Sequence, residues 1–189
     1  MPSTGIMPPQ LKKRLTLFAK DKRGVTAIEF AFIATPFFFL IFGILEICLL
    51  FIMSSVLEHG INEAARDIRT GQAQNQNFNQ AQFKTAICDE LFDLLDCGAN
   101  LSFDVSTFSS FASTSSTSPI DADGNFDPSD FGYDPGQASD IVVVRVFYQW
   151  SLITPLLSAP LANMKGSGGA MNKRLLQSTV AFRNEPYEG

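Results

Sequence analysis

The chain has 189 residues, a length that suits one modest globular domain with accessory segments. Its net charge is −5, and it has no basic stripe with interleaved aromatic residues, so nucleic-acid binding is excluded. Hydrophobic residues make up 46% of the chain but are unevenly placed. Residues 30–57 are almost wholly apolar, while residues 70–140 are rich in Ser, Asn, Gln, Asp and Gly. The sequence therefore predicts one segment that lies in a membrane and another that is exposed to water.

The charges are also divided along the chain. Residues 1–24 carry six basic residues and one acidic residue, whereas residues 59–189 carry eight basic and fifteen acidic residues. Basic residues beside an apolar span are retained on the cytoplasmic side of a membrane. We therefore expect residues 1–24 to form a cytoplasmic leader, and the C-terminal part to face the periplasm across the bacterial inner membrane.

The apolar run at residues 30–57 contains 28 residues, and Glu46 is its only charge. About 20 apolar residues cross a bilayer core of about 30 Å, so this run is long enough to span one. A buried helix of a soluble core is the first alternative. A cleaved signal peptide is the second, but its apolar region is only about 7–15 residues and ends at a small-residue cleavage site. We predict a single-pass transmembrane helix at residues 25–57, continued outside the membrane by residues 58–70.

Two residues inside the span need an explanation. Pro36 removes a backbone donor and favours a kink, which a membrane helix tolerates when neighbouring groups satisfy the freed carbonyl. Glu46 lies near mid-membrane, where an isolated charge costs at least about 2.5 kcal/mol. It is therefore either a tolerated, protonated carboxyl or a contact to another helix in an assembly. We take Pro36, Gly43 and Glu46 as candidate intramembrane contact residues.

The start of the span carries a more specific pattern than hydropathy. A charged leader ends at Gly24, and the apolar stretch that begins with Val25 is interrupted once, by Glu29, with Phe30 directly behind it. This resembles the site at which a prepilin peptidase cuts type IV pilins after a glycine on the cytoplasmic face.

The resemblance extends from Arg23 to about Gly71 and points to the TadE-like pseudopilins of the tight-adherence (Flp pilus) secretion system. The last residues, 181–186, are also similar to the C-terminal end of such proteins. The matching residues of the longer stretch are Gly24, Ala27-Ile28-Glu29-Phe30-Ala31, Pro36, Gly43-Ile44-Leu45-Glu46 and Asn62-Glu63-Ala64-Ala65-Arg66.

The resemblance implies a minor pilin or pseudopilin that helps to assemble the pilus after cleavage between Gly24 and Val25. Its implied partners are the prepilin peptidase, other pilin or pseudopilin subunits, the inner-membrane assembly platform and membrane lipid. The alternative is an unprocessed, membrane-anchored periplasmic protein that binds another envelope partner, which leaves Gly24, Glu29 and Phe30 as coincidence.

Cleavage after Gly24 would create an α-amino group on Val25 at the start of a membrane helix. Glu29 would then lie about one turn inside, where a carboxylate complements the positive end of the helix. It could pair with the amino group of a neighbouring subunit, because charges in a low dielectric are expensive unless paired. The alternative for Glu29 is an interfacial residue with no partner.

Beyond the membrane, apolar residues at helical spacing predict that the first helix continues to about Thr70. A second helix follows Asn79, a candidate N-cap, and would end at Gly98. Alternation predicts strands at residues 101–107, 141–150 and 178–183. We expect an α+β, pilin-like fold, in which residues 71–189 form a globular domain with a disordered or loop-rich stretch at 109–140 and a short antiparallel sheet.

The cysteines and the acidic loop complete the candidate sites. Cys88 and Cys97 lie in the exported part, and we predict a disulfide between them; two unpaired thiols are the alternative. Nine residues of continuous helix would hold them about 13.5 Å apart, so the helix must end before Cys97. The acidic residues 121–127 do not fit the EF-hand pattern, so a solvated loop is favoured over a cation site.

No catalytic constellation is found in the sequence. The single histidine, His59, follows the apolar run, and no nucleophile elbow, P-loop, dinucleotide fingerprint or zinc cluster is present. We therefore expect neither an enzyme nor a bound cofactor or metal.

Overall fold

The computed structural model describes residues 25–114, 118–154, 158–166 and 168–187. The leader, including Gly24, lies outside the described residues. The chain divides into two units, Met1–Phe42 and Gly43–Gly189. The described part of the first unit is entirely helical. The second unit contains the remaining helices and all described strands.

Helix α1 covers Val25–Arg69, close to the predicted range, and contains Pro36. Its C-terminal part carries a buried stripe at the spacing of one helix face, which is what packs a helix on a core. The chain then turns at Gly71, whose φ of 78° is a left-handed conformation that suits glycine at a helix end. The stripe consists of Met53, Leu57, Gly60, Ile61, Ala64, Ala65 and Ile68.

Two short helices follow, α2 at Gln72–Asn75 and α3 at Gln80–Asp89. Helix α3 begins at the predicted cap, because Asn79 and Gln82 exchange hydrogen bonds in a capping box. The prediction that this helix reaches Gly98 is wrong, since it ends at Asp89. Phe92 and Asp93 take positive φ values of 53° and 55°, and these turns lead the chain back toward Cys88.

The sheet contains β1 (Leu101–Phe108), β2 (Ile141–Ser151), β3 (Met164–Lys165) and β4 (Met171–Arg183), in the antiparallel order β1-β2-β4-β3. Strand β4 begins at Met171, earlier than the predicted Ser178, because it pairs with β2 as far as Ser151. A four-residue helix, α4 (Ser158–Leu161), precedes β3. The α+β class and the antiparallel sheet are confirmed.

Both faces of the sheet are covered, which explains why β2 is almost continuously apolar. On one face, Val142, Val144 and Val146 share a core with the buried stripe of α1 and with α3. On the other face, Phe147 packs with Met164, Leu175 and partly buried aromatic residues of the loop before β2. Within the described residues, this loop between β1 and β2 contains only a short 3-10 helix at Phe111–Ser113 and isolated bridges.

Candidate functional site

The residues around the predicted processing site begin the described chain. Val25 is the first residue of α1, and both Glu29 and Phe30 are exposed on its first turns. Gly24 itself lies outside the described residues. The structure thus places three of the four predicted residues on one exposed helix start, and it leaves cleavage as a prediction.

The following turns of α1 present large apolar side chains to the surroundings. By length and composition, this helix could cross a membrane. Such exposure is typical of a helix that faces lipid rather than a soluble core. The exposed side chains are Ile28, Phe30, Phe32, Ile33, Phe37, Phe38, Phe39, Leu40, Phe42, Ile44, Leu45, Ile47, Phe51 and Ile52.

Glu46 has its hydrogen-bond partners within the chain. Its Oε1 accepts the backbone N–H of Ile153 at 2.9 Å, and its Oε2 accepts that of Thr154 at 2.6 Å. The residue is only 3% exposed, and Gly43, one turn earlier, is also buried. A carboxylate held by two backbone donors has both oxygens satisfied. The predicted contacts of Glu46, Gly43 and Pro36 with other subunits stay a prediction.

The end of β2 brings other polar groups close to this carboxylate. The indole of Trp150 faces Glu46, although its Nε1 is buried without a hydrogen bond of good geometry. In the sheet register, Trp150 lies opposite Arg174 and Ser151 opposite Lys173. Two basic residues therefore lie at the same end of the sheet as the Glu46 contact.

Cys88 and Cys97 form a disulfide, with their Cα atoms 5.9 Å apart. This is the pairing the sequence predicts, and its condition is met because α3 ends at Asp89. The bridge closes the turns that carry Leu91 and Leu95 into the core beneath α1. The third cysteine, Cys48, is exposed on α1.

The buried Asp104 forms an ion pair with the partly buried Arg145, and sequence reasoning missed this pair. Asp104 Oδ2 accepts Nη2 of Arg145 at 2.8 Å, and Asp104 Oδ1 accepts the N–H of Gly132 at 3.0 Å. These residues lie opposite each other on β1 and β2. Opposite charges in the middle of two predicted neighbouring strands are a signal that could have predicted the pair. The pair ties the loop before β2 to the sheet.

Asn184 is a second buried polar residue that was not predicted as a site. Its Nδ2 donates to the carbonyls of Pro135 and Gln137, both at 2.9 Å. The next residue, Glu185, donates its N–H to the carbonyl of Arg69 at 2.8 Å. The C-terminal end thus joins the end of α1 to the loop before β2.

The acidic loop supplies its own hydrogen-bond partners. Asn125 donates side-chain and backbone hydrogen bonds to Asp121, and they hold the pKa of that carboxyl below its usual range. Ser129 does the same for the pKa of Asp127. Among the described residues, no group of three or more His, Cys, Asp or Glu side chains could hold a metal ion.

An aromatic cluster between the sheet and α3 contains one residue with a strongly shifted pKa. Tyr133 packs against Phe83 and Phe103, and burial followed by the charge of Asp67 raises the pKa of Tyr133 to about 12. Its hydroxyl is buried without a hydrogen-bond partner. Its position in the core indicates a packing role.

Comparison with known proteins supports the resemblance seen in the sequence. Residues 24–66 match the family model described as TadE-like protein, and the remainder of the chain lies outside this match. No curated protein matches the chain. No solved structure matches it. The match therefore covers less than half of the chain and falls on α1 and the residue before it.

Proposed function

We propose that this protein is a minor pilin or pseudopilin that takes part in assembly of a Flp-type pilus after cleavage between Gly24 and Val25. The observation that carries the proposal is the family match, which begins at residue 24 and includes Glu29 and Phe30. The fold supports it, because α1 joins a long lipid-facing segment to a stripe packed on a small sheet.

The exposed start of α1 is suited to subunit contacts. After cleavage, the new α-amino group of Val25 and the carboxylate of Glu29 would lie about one turn apart on a lipid-facing helix. Each charge is costly in lipid unless it is paired, and a neighbouring subunit would supply the partner. The proposed partners are therefore the prepilin peptidase, other pilin subunits and the inner-membrane assembly platform.

Pilus assembly in a strain that lacks this protein tests the proposal. We expect wild-type protein to restore pili and the Gly24→Ala and Glu29→Gln variants to fail, because one blocks processing and the other removes the charge that pairs with the new amino group. Glu58→Gln is the matched control, since Glu58 is another exposed glutamate of α1. Full piliation with all three variants would contradict the proposal.

The alternative, an unprocessed membrane-anchored protein with another envelope partner, gives a different result in that assay. It predicts normal piliation in the deletion strain. It also predicts a full-length chain in membranes that contain the peptidase.

A further inference from the structure

The surface beside Glu46 continues the lipid-facing surface of α1 beyond that residue. On the helix, Ile47 and Phe51 are exposed, and Phe51 is 70% exposed. Ile153, in the segment after β2 whose N–H binds Glu46, is 68% exposed. We define these three residues, with Leu161, as the membrane-proximal surface. Exposed apolar side chains that lie together mark an interaction site.

Two backbone N–H groups at this surface have hydrogen-bond partners within the protein. Backbone outside a helix or closed sheet is tolerated at membrane depth only when its polar groups find partners in protein. The N–H groups of Ile153 and Thr154 both donate to Glu46, so the donors and the carboxylate satisfy each other. An exposed loop in water would not need such an arrangement.

The length of the helix places this surface at the border of a bilayer. From Val25 to Glu46 the helix rises about 32 Å, and from Val25 to Ile52 about 40 Å. A hydrocarbon core is about 30 Å thick, and a bilayer with its headgroup regions about 40–45 Å. A helix whose first residue lies at one face of the hydrocarbon core therefore brings Glu46 and Phe51 to the interface of the opposite leaflet, rather than leaving Glu46 near mid-membrane as the sequence predicts.

The composition around the surface also fits a bilayer. The segment from Leu152 to Asn163 contains no charged residue. A groove of about 400 Å³, lined by Ile47, Leu50, Phe51 and Leu161 among others, has Arg174 as its one charged side chain. Arg174 is exposed and donates to the carbonyl of Leu161 at 3.1 Å. A basic residue at the rim of an apolar surface is suited to lipid phosphate.

We propose that the membrane-proximal surface lies in the bilayer, so that Ile153 and Leu161 enter the leaflet beside α1. The occupant is the lipid interface itself, with hydrocarbon against Phe51 and Ile153 and headgroup phosphate near Arg174. The inference rests on membrane anchoring through α1, which is part of the proposed function, and it does not depend on cleavage.

The single tryptophan of the chain allows a direct test. The reporter variant combines Trp150→Phe with Ile153→Trp. The matched control combines Trp150→Phe with Phe111→Trp, because Phe111 is 53% exposed and follows β1 at the other end of the sheet. There Phe108 pairs with Ile141, and β2 separates the two ends by about 33 Å.

Each full-length protein is reconstituted in vesicles of phosphatidylcholine and phosphatidylglycerol, with and without brominated phosphatidylcholine. We expect the reporter to lose the larger part of its emission to the brominated lipid and to resist acrylamide, and the control to behave in the opposite way. Wild-type protein gives a readout without substitution, since Trp150 near Glu46 should be partly quenched by the brominated lipid.

Two outcomes would overturn the inference. Quenching of the reporter by acrylamide to the same degree as the control would place Ile153 in water. Protection from both quenchers would show that protein, such as a second copy, covers the surface. Flotation of the vesicles separates these outcomes from a failure of the proposed function, because protein that does not float with lipid lacks the anchor itself.

Discussion

The two halves of α1 differ in where their apolar side chains point. In residues 25–42, large apolar side chains face outward on all sides, with phenylalanine the most frequent. From Met53 to Ile68, the apolar residues keep to one stripe and are buried against the sheet and α3. The first part has the outward apolar surface of a helix suited to lipid, and the second has the one-sided apolar stripe of a helix packed on a core in water.

This difference means that the two halves have separate sources of stability. A lipid-facing segment is held by transfer of its side chains into hydrocarbon and needs no partner in the domain. The stripe contributes to a shared core, so its side chains affect the unfolding of the domain. Changes in the domain should leave membrane anchoring intact, and changes in the lipid-facing half should leave domain unfolding intact.

The largest expected effect is a loss of domain stability that leaves membrane anchoring unchanged. Asp104→Ala leaves the partly buried Arg145 and the N–H of Gly132 without their acceptor, which lowers the free energy of unfolding by up to about 3–5 kcal/mol. Denaturation in detergent measures this loss, and flotation with vesicles should be unchanged. Glu185→Ala is the control, because its ion pair with Arg69 is exposed and contributes about 0–1 kcal/mol. If the Asp104→Ala protein no longer floated with vesicles, membrane anchoring would depend on the stability of the domain, which would contradict the separation of the two halves.

Two leucine-to-alanine substitutions, one in each half of α1, compare the halves directly. Leu57 is fully buried, and Leu57→Ala should lower the free energy of unfolding of the domain by about 2–5 kcal/mol through lost burial and a cavity. Leu45 lies on the same helix but is exposed, so Leu45→Ala should change the free energy of unfolding of the domain by less than about 0.5 kcal/mol. Equal effects in the same denaturation experiment would show that the boundary is wrongly placed.

The boundary residue should have an intermediate effect. Glu46→Gln keeps one acceptor oxygen and brings an NH₂ group against a backbone N–H, so one donor loses its partner. We expect a loss of about 1–3 kcal/mol in domain stability. Glu58→Gln, an exposed change one to two turns from the stripe's start, should have almost none. An unaffected Glu46→Gln variant would contradict the assigned hydrogen bonds.

The smallest expected effect is a loss of domain stability at high pH, caused by ionisation of Tyr133. Folding raises the pKa of Tyr133 from 10.0 to about 12, so the folded domain holds this proton more tightly than the unfolded chain. Its contribution to stability is complete below about pH 10 and disappears as the pH rises to about 12. Tyr133→Phe should reduce this decline and cost little at neutral pH, because the hydroxyl has no hydrogen-bond partner. An unchanged alkaline decline would contradict this.

Local patterns predicted much of the fold, because each depends on nearby residues. Spacing predicted α1 to Thr70, where it ends at Arg69, and the Asn79 cap and the first two strands lie close to their predicted bounds. The end of α3 was missed because the core and the disulfide, rather than the helical spacing of Leu91 and Leu95, set the path of the chain there.

The candidate site was predicted less completely, for a physical reason. The start of α1 is a local motif and could be found from sequence. The donors to Glu46 come from residues 107 and 108 positions away, and they are backbone groups that carry no side-chain signal. An acidic residue in an apolar span could therefore be recognised as in need of a partner, but the partner could not be named.

Intact mass and N-terminal sequencing of the protein, produced with its prepilin peptidase beside a Gly24→Ala control, test the central claim most directly. We expect a mature chain that begins at Val25 in the wild type and an uncut chain in the control. A full-length wild-type chain would contradict pilin-type processing and would favour the unprocessed, membrane-anchored alternative.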